Sequence, residues 1–422
     1  MRRAMTPVCL FAFLVTSCGA PFDPYWRVEK FRVLAIKSDP ITLDVGEVAA
    51  LEALVYDAAG ATPSYQWEWC PFRTSPQNEY ACPFTRAELA ELLVASAAGG
   101  EMDSDMMAPP GFELTPELLE MFLPDFELGT EPVARFPYPL TPELVRGLCD
   151  TTQAFTAGIE DEELAGQIGV SDCERGYEVT VRVIVSVGDE AGERIVAGKR
   201  LTLSTGSPDF DNANPDVTDI QIRLDDSADF ERVRDELPWA SADNAWHTLD
   251  PMADTPILTN INYDLRMKVD LESLDVFRAP APLGADRDFN DPEREAAVMR
   301  WFATEGDIDS SGRLFKEGVF ADPDDADTPT QDLLDEASAT DFVVTYYEDP
   351  PPGVLVFPDQ DIDWDRDGID NSEDPCPSIG NPIESRQGEC TVRLWAVVRD
   401  GRLGIDWVER RLVLVGDAQP PN

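Results

Sequence analysis

The chain has 422 residues, of which 82 are acidic, 33 are basic and one is histidine, and its formal charge is −49. Nucleic-acid binding requires Lys and Arg to neutralise phosphates, so this balance excludes a nucleic-acid partner, and it equally excludes attachment to anionic lipid by charge. The single histidine rules out every metal motif that needs two. Because 43% of the residues are hydrophobic, the chain can bury a core, and its length suggests two or three domains.

Residues 1–17 have the features of a secretory signal peptide. Arg2 and Arg3 precede an apolar run from Val8 to Val15 that is too short to span a bilayer. The run ends in Val-Thr-Ser-Cys-Gly and resembles a bacterial lipobox, in which the cysteine receives a diacylglycerol. The resemblance implies cleavage before Cys18, a tether over 18–27 and anchoring of the chain in the outer membrane, on either side. An ordinary signal that contains a cysteine is the alternative.

Six cysteines remain once the signal peptide and the lipidated residue are set aside: Cys70, Cys82, Cys149, Cys173, Cys376 and Cys390. An even number of cysteines in an exported chain indicates disulfides. Local spacing favours pairing each cysteine with its neighbour in the sequence. A zinc site is the weaker alternative, because the chain has no CxxC pair.

The first predicted domain covers 28–206 and is rich in strand patterns. We predict strands at Phe31–Ile36, Val48–Tyr56, Tyr65–Trp69, Tyr177–Val187 and Ile195–Leu203. The succession of strands and turns, with Trp67 predicted in the core, resembles the opening of an immunoglobulin-like sandwich. Residues 84–168 have helix-start signals instead of strand patterns. Thr85 and Glu88 form a capping box, and Thr-Pro-Glu occurs twice, so we expect a helical insertion there.

A polar linker at 207–216 leads to a second predicted sandwich at 217–416, with a tail at 417–422. Its expected strands are Val217–Leu224, Leu265–Leu271, Ala297–Thr304 after a short helical turn, Phe342–Tyr347, and the hairpin Thr391–Val398 with Trp407–Val415. The Asp-rich stretch 305–341 is predicted as a long loop. The expected fold is therefore mainly β, with two immunoglobulin-like β-sandwich domains, a helical insertion in the first and long acidic loops in the second.

An acidic insert at 359–376 carries the spacing of a twelve-residue calcium loop. Side-chain oxygens fall at positions one, three, five, nine and twelve, and a backbone carbonyl at seven, from Asp363, Asp365, Asp367, Asn371, Asp374 and Ile369. Gly368 at position six permits the sharp turn. The Asp-Pro-Cys-Pro ending resembles thrombospondin type 3 repeats, which implies Ca²⁺ as the bound cofactor. A solvated acidic linker is the alternative.

Several segments together resemble Gram-negative surface lipoproteins with tandem immunoglobulin-like domains: the lipobox, 32–36, 67–70, 301–306 and 394–401. The resemblance implies membrane attachment through the lipid, but it supplies no catalytic activity. We also expect a protein or glycan partner of unknown identity, whose binding the calcium loop would support. The chain has no Gly-x-Ser-x-Gly elbow, and His247 has no nucleophile visible near it in the sequence. We therefore predict a non-enzymatic, calcium-binding envelope protein that acts in binding or adhesion. A structural subunit of an envelope or motility complex is the alternative, and a carboxylate-based hydrolase is less favoured.

Overall fold

The computed structural model describes residues 25–28, 30–99, 115, 125–138, 145, 149, 176–188, 192–204, 212–225, 233–234, 236–274, 276–278, 292–294, 296–304, 306–309, 312–315, 331–344 and 391–417. Within these residues the strands form four larger sheets and one two-stranded ribbon. The larger sheets pack in pairs around two separate hydrophobic cores. The predicted mainly β fold class is thereby confirmed.

The first sandwich contains strands β1 to β8, which are Arg32–Asp39, Thr42–Leu43, Val48–Tyr56, Ser64–Cys70, Glu127–Gly129, Val133–Pro137, Tyr177–Val187 and Glu193–Leu203. One sheet has the order β1-β3-β6 and the other β2-β8-β7-β4-β5. Strand β7 shows why this sequence forms a sandwich, since Val179, Val181, Val183 and Val185 are fully buried on one face. Trp67 lies in the same core, as predicted, and its indole N–H donates to the Glu131 carbonyl at 2.9 Å.

Helix α1, Arg86–Gly99, begins where the capping box predicts it. The Glu88 amide donates to Thr85 Oγ1 at 3.3 Å, and the Thr85 amide donates to the Glu88 carboxylate at 2.8 Å. The Thr85 hydroxyl also donates to the Glu88 carboxylate, at 2.9 Å, and the two bonds from Thr85 to this carboxylate hold the pKa of Glu88 below its usual value. Beside the helix, the predicted disulfide between Cys70 and Cys82 is formed, with a Cα–Cα distance of 5.2 Å.

The interval 84–168 is not purely helical, because strands β5 and β6 lie within it. Strand β6 pairs with β3 and buries Ala134 and Phe136, whereas its other residues are exposed. The expectation of a helical insertion is therefore wrong for these residues. Five residues give only two apolar positions of alternation, which is too few for the sequence pattern to distinguish a strand from a loop.

The second sandwich contains strands β9 to β20. They are Val217–Leu224, His247–Thr248, Thr255–Thr259, Asn262–Val269, Val276–Arg278, Pro292–Arg294, Ala297–Ala303, Asp307–Ile308, Gly312–Phe315, Thr340–Val343, Thr391–Arg399 and Ile405–Asp417. One sheet has the order β10-β9-β12-β18-β16, the other β11-β20-β19-β15-β17, and β13 pairs with β14. The predicted final hairpin is confirmed as β19 and β20, which pair from Thr391 with Val413 to Arg399 with Ile405.

Two predictions in this sandwich are wrong. The Asp-Pro-Glu signal at 291–293 does not start a helical turn, because Pro292–Arg294 is strand β14. The stretch 305–341 is not one long loop, since it contains β16, β17, the start of β18 and helix α2, Gln331–Ala337. Its elements are two to seven residues long, and tertiary contacts such as the pairing of β16 with β18 stabilise them.

The end of the predicted tether is part of the folded body. The Val28 amide donates to the Ala303 carbonyl at 2.9 Å, and the Ala303 amide donates to the Trp26 carbonyl at 3.0 Å. Trp26 is buried in the core of the second sandwich, and the Arg300 guanidinium lies over the Tyr25 ring at 5.2 Å. A tether over 18–27 is therefore too long, because Trp26 is buried in the core and Tyr25, although 47% exposed, contacts Arg300 of strand β15.

Candidate functional site

A third hydrophobic cluster joins the two sandwiches. It contains Val28, Leu34, Ala35 and Tyr56 from the first part of the chain and Trp395, Val397 and Ile405 from strands β19 and β20. The Tyr56 and Trp395 rings meet edge to face with centroids 5.2 Å apart. Strand β19 is buried on both faces, since Leu394 and Ala396 point into their own core while Trp395 points into this seam. The two sandwiches are therefore packed against each other rather than merely tethered.

Residues of the predicted linker fix the seam by hydrogen bonds to both sides. The Asn214 amide group donates to the Ser38 carbonyl at 2.7 Å and accepts from the Ile405 amide at 3.0 Å. Lys37 Nζ lies 2.7 Å from Asp406 Oδ1 across the same boundary. Asparagine suits this position because its amide can donate and accept at once. The linker thus orients the two sandwiches relative to each other.

A cleft of about 860 Å³ lies beside this seam. One wall comes from the first sandwich, through residues 73–76, Tyr80 and Gly198 to Arg200 of strand β8, and the other from the turn between β19 and β20. Its volume falls in the range of small-molecule sites. Four basic side chains and one acidic side chain are among its lining residues: Arg73, Lys199, Arg200, Arg399 and Asp400. We take this cleft as the candidate functional site.

The turn at 400–404 is organised by Asp400. One carboxylate oxygen accepts the amides of Arg402 and Gly404, both at 2.7 Å, and the other accepts Asn212 Nδ2 at 3.3 Å. Burial raises the pKa of Asp400, while these hydrogen bonds and Lys199 act in the opposite direction. A Cβ at Gly404 would lie 1.8 Å from Asp400 Oδ2, so glycine is required for the carboxylate to close the turn.

Lys199 reaches across the seam, and its ammonium donates to the Leu403 carbonyl. The side chain as a whole is partly exposed, whereas its ammonium is enclosed by the two walls. Burial lowers the pKa of Lys199 to about 7, with Arg399 and Arg200 acting in the same direction and Asp400 opposing them. An ammonium in this environment is sensitive to any further charge that enters the cleft.

The remaining basic groups stand at the edges of the cleft. Arg73 Nε and Arg200 Nη1 contact the same oxygen of Glu178, at 3.1 and 3.2 Å. Arg399 is exposed, and its Nη2 donates to the Leu34 carbonyl at 3.2 Å. Together these groups present guanidinium donors, which can bind carboxylate or phosphate in a bidentate manner.

An aromatic ring forms part of the wall between these charges. Tyr80 packs flat against the backbone of Gly198, where a Cβ would lie 2.3 Å from the ring. Glycine at 198 therefore allows the ring to approach strand β8. The ring gives the cleft an apolar surface beside its cations.

The residues predicted for calcium binding lie outside the described part of the chain, as does the lipidation residue Cys18. These calcium residues are Asp363, Asp365, Asp367, Ile369, Asn371 and Asp374. Cys173, Cys376 and Cys390 also lie outside the described ranges, while Cys149 is disulfide-bonded. Among the described residues, no group of three or more His, Cys, Asp or Glu side chains is placed to hold a metal ion.

His247 is a packed side chain. Its ring stacks on Trp239 with centroids 5.5 Å apart, and burial lowers its pKa. Within the described ranges, no helix combines the length and apolarity needed to cross a membrane.

The basic cleft is the site that sequence reasoning missed. Gly198-Lys199-Arg200 lies in a predicted strand, and Arg399-Asp400-Gly401 in a predicted turn. Adjacent basic residues are unusual in a chain with 33 basic and 82 acidic residues. This local excess of positive charge was the sequence feature that could have indicated the cleft. The two segments are separated by about two hundred residues, so their meeting depends on how the domains pack.

Comparisons with known proteins identify no relative. No protein-family model matches the chain, and no curated protein matches it. Among solved structures, alpha-2-macroglobulin of E. coli is 7% identical over 92% of this chain, with a TM-score of 0.17. PorU of Porphyromonas gingivalis is 9% identical over 93%, with a TM-score of 0.17, and a Salmonella alpha-2-macroglobulin mutant is 8% identical over 92%, with a TM-score of 0.16. The chain spans 17 to 24% of their lengths, and likenesses this weak carry no functional argument.

Proposed function

We propose that the chain is a non-enzymatic, lipid-anchored protein of the cell envelope that acts as a binding module. The observation that carries the proposal is the cleft at the buried seam between the two sandwiches, since a fixed seam holds binding groups from two domains in one geometry. Half of its lining residues have side chains that donate hydrogen bonds or carry positive charge, which suits binding. Strand β8 supplies part of one wall, and the turn between strands β19 and β20 supplies the other.

The proposed anchor at Cys18 is supported by the lipobox-like sequence and by the docking of residues 25–28. Cys18 and Tyr25 are seven residues apart, and such a segment spans at most roughly 25 Å when fully extended. Because Tyr25 packs against Arg300, the second sandwich would be held within that distance of the acyl chains. Acyl chains anchor a protein through burial of their methylene groups.

Fractionation of cells that express the full chain tests the anchor. The wild-type chain should incorporate a palmitate analogue and sediment with outer-membrane fractions. The Cys18→Ala chain should lose the label, while Cys9→Ala should keep it, since Cys9 lies in the predicted signal. Equal labelling of wild type and Cys18→Ala would contradict the proposal. Stoichiometric co-purification of other envelope proteins would instead favour a structural subunit.

We further propose that the insert at 359–376 binds calcium. The support is the spacing of its oxygen donors and the repulsion that eight acids within sixteen residues would exert without a cation. Calcium would order the insert and offset part of its charge.

Isothermal titration of the purified chain with calcium tests this site. We expect binding by the wild type and its loss in Asp363→Ala/Asp367→Ala. The matched control is Asp322→Ala/Asp324→Ala, which removes the same charge from an acidic run that lacks the loop glycine. Equal loss in both double variants would show that charge alone, rather than a calcium loop, attracts the ion.

A further inference from the structure

The cleft between the sandwiches concentrates positive charge in a strongly acidic chain. Four of its lining residues are basic and one is acidic, whereas the whole chain has 33 basic and 82 acidic residues. A local reversal of charge of this size creates a positive potential that attracts anions from solution. The side chains that line the cleft are therefore mainly positive, whereas the chain as a whole is strongly negative.

The acidic residue among those that line the cleft, Asp400, accepts the hydrogen bonds that close the turn. Both Asp400 oxygens accept hydrogen bonds from within the seam, from Arg402, Gly404 and Asn212. The Asp400 carboxylate shapes the wall, and its charge also favours the charged form of Lys199. One carboxylate faces two cations, Lys199 and Arg399, so positive charge remains in excess among these lining residues.

Among the described residues, the hydrogen-bond partners of two of the cations are carbonyl groups. Lys199 donates to the Leu403 carbonyl and Arg399 to the Leu34 carbonyl, and neither has a carboxylate within salt-bridge distance in the part of the chain that the structure describes. They come from different sandwiches, and the charge on Arg399 disfavours the charge on Lys199. The positive charges of Lys199 and Arg399 repel each other unless an anion lies between them.

A third cation, Arg200, stands at the edge of the cleft and contacts Glu178 at 3.2 Å, as Arg73 does at 3.1 Å. Arg200 adds guanidinium N–H donors to this edge of the cleft. Tyr80, packed on Gly198, adds a ring against which a carbon skeleton can lie.

We propose that this cleft binds a small anion bearing carboxylate or phosphate groups. Lys199 and Arg399 hold an anionic group from opposite walls, Arg200 offers further donors beside it, and Tyr80 packs against the carbon skeleton of the ligand. This inference rests on the proposed binding function, because the same cleft carries that proposal, and it adds the class of ligand. Its failure would leave the tests of the Cys18 anchor and of calcium binding at 359–376 unaffected. The ligand class follows from the donors, since guanidinium and ammonium groups recognise carboxylate and phosphate oxygens.

Titration calorimetry with two simple anions tests the site. The purified chain, at low salt and pH 6 without added calcium, is titrated with tricarballylate in one arm and inorganic phosphate in the other. We expect millimolar or tighter binding in at least one arm, weakened about tenfold or more in Lys199→Met and in Arg399→Gln. The arm with the tighter binding identifies which anionic group the cleft prefers.

The matched control is Arg411→Gln, which removes one positive charge from β20 outside the cleft, where Arg411 contacts Asp254 at 3.2 Å. It should leave the affinity within about twofold of wild type. Because Arg399 is exposed, the Arg399→Gln chain is expected to fold even if the Lys199 variant does not, and circular dichroism checks both. Absence of binding in both arms, or the same loss in Arg411→Gln as in Arg399→Gln, would overturn the proposal.

Discussion

Lys199 should make the stability of the protein depend on pH. Burial lowers its pKa from 10.5 to about 7 in the folded chain, so between these values unfolding takes up a proton and a rise in pH favours the folded state. Below pH 7 both states are protonated and the cost of burying the charge is fully present. The Lys199→Met chain lacks this cost at every pH.

We therefore expect the free energy of unfolding of wild type to increase relative to that of Lys199→Met as the pH rises from 7 to 10. This increase should be roughly 1–2 kcal/mol, less than the full pKa difference implies, because water reaches the cleft. Urea unfolding followed by tryptophan fluorescence measures both chains at each pH, and groups that they share cancel in the difference. Two curves that run parallel across this range would contradict the buried ammonium.

The sequence predicts only part of the arrangement of charged groups around Lys199. The tight turn at Asp400-Gly401 follows from its residue types, since Asp followed by Gly favours such a turn. That Asp400 Oδ1 caps the amides of Arg402 and Gly404 depends on the fold of the turn. The approach of Lys199 to the Leu403 carbonyl depends on the packing of two domains, to which no local pattern refers.

At the scale of elements, the length of an alternating pattern decides what the sequence predicts. Strand β7 has eleven residues with valine at every second position, and its bounds agree with the prediction. Strand β6 has five residues and β16 has two, so neither offers enough repeats to be recognised. These short strands exist because a longer neighbour pairs with them, as β3 does with β6.

Strand β6 should nevertheless contribute strongly to stability through Phe136. Its side chain is 1% exposed and packs against Trp69 with ring centroids 5.3 Å apart. We expect Phe136→Ala to lower the free energy of unfolding by about 3–5 kcal/mol, because it removes a buried ring and leaves a cavity. Chemical denaturation measures the change.

The matched control in the same strand is Val133→Ala, because the Val133 side chain is 49% exposed. Its effect should stay within about 0.5 kcal/mol. If the two substitutions destabilised the chain equally, strand β6 would not have the inward and outward faces described above.

At the scale of the whole molecule, strand β19 joins two cores. Its sequence, Thr-Val-Arg-Leu-Trp-Ala-Val-Val-Arg, is nearly continuous in apolar residues, as expected of a strand buried on both faces. Leu394, Ala396 and Val398 lie in the core of the second sandwich, while Trp395 and Val397 lie in the seam. The apolar run predicts a strand. It does not predict that the first sandwich covers the second face of this strand.

Removing the seam tryptophan should loosen the two sandwiches without unfolding either. Trp395 is 1% exposed, meets Tyr56 edge to face and donates to the Glu409 carboxylate at 3.1 Å. In Trp395→Ala the seam loses its largest ring, whereas Leu394 and Ala396 still fill the core behind it. We expect a larger maximum dimension in small-angle X-ray scattering and faster proteolysis near residues 205–216.

The control is Trp246→Ala, which removes a tryptophan outside the seam cluster whose ring contacts the guanidinium groups of Arg223 and Arg266, at 4.5 and 4.3 Å. It should leave the scattering curve unchanged. Because the basic cleft takes its walls from both sandwiches, Trp395→Ala should also weaken anion binding while leaving calcium binding intact. A variant with a wild-type scattering curve and wild-type anion affinity would show that hydrogen bonds through Asn214, rather than the apolar cluster, hold the two sandwiches in place.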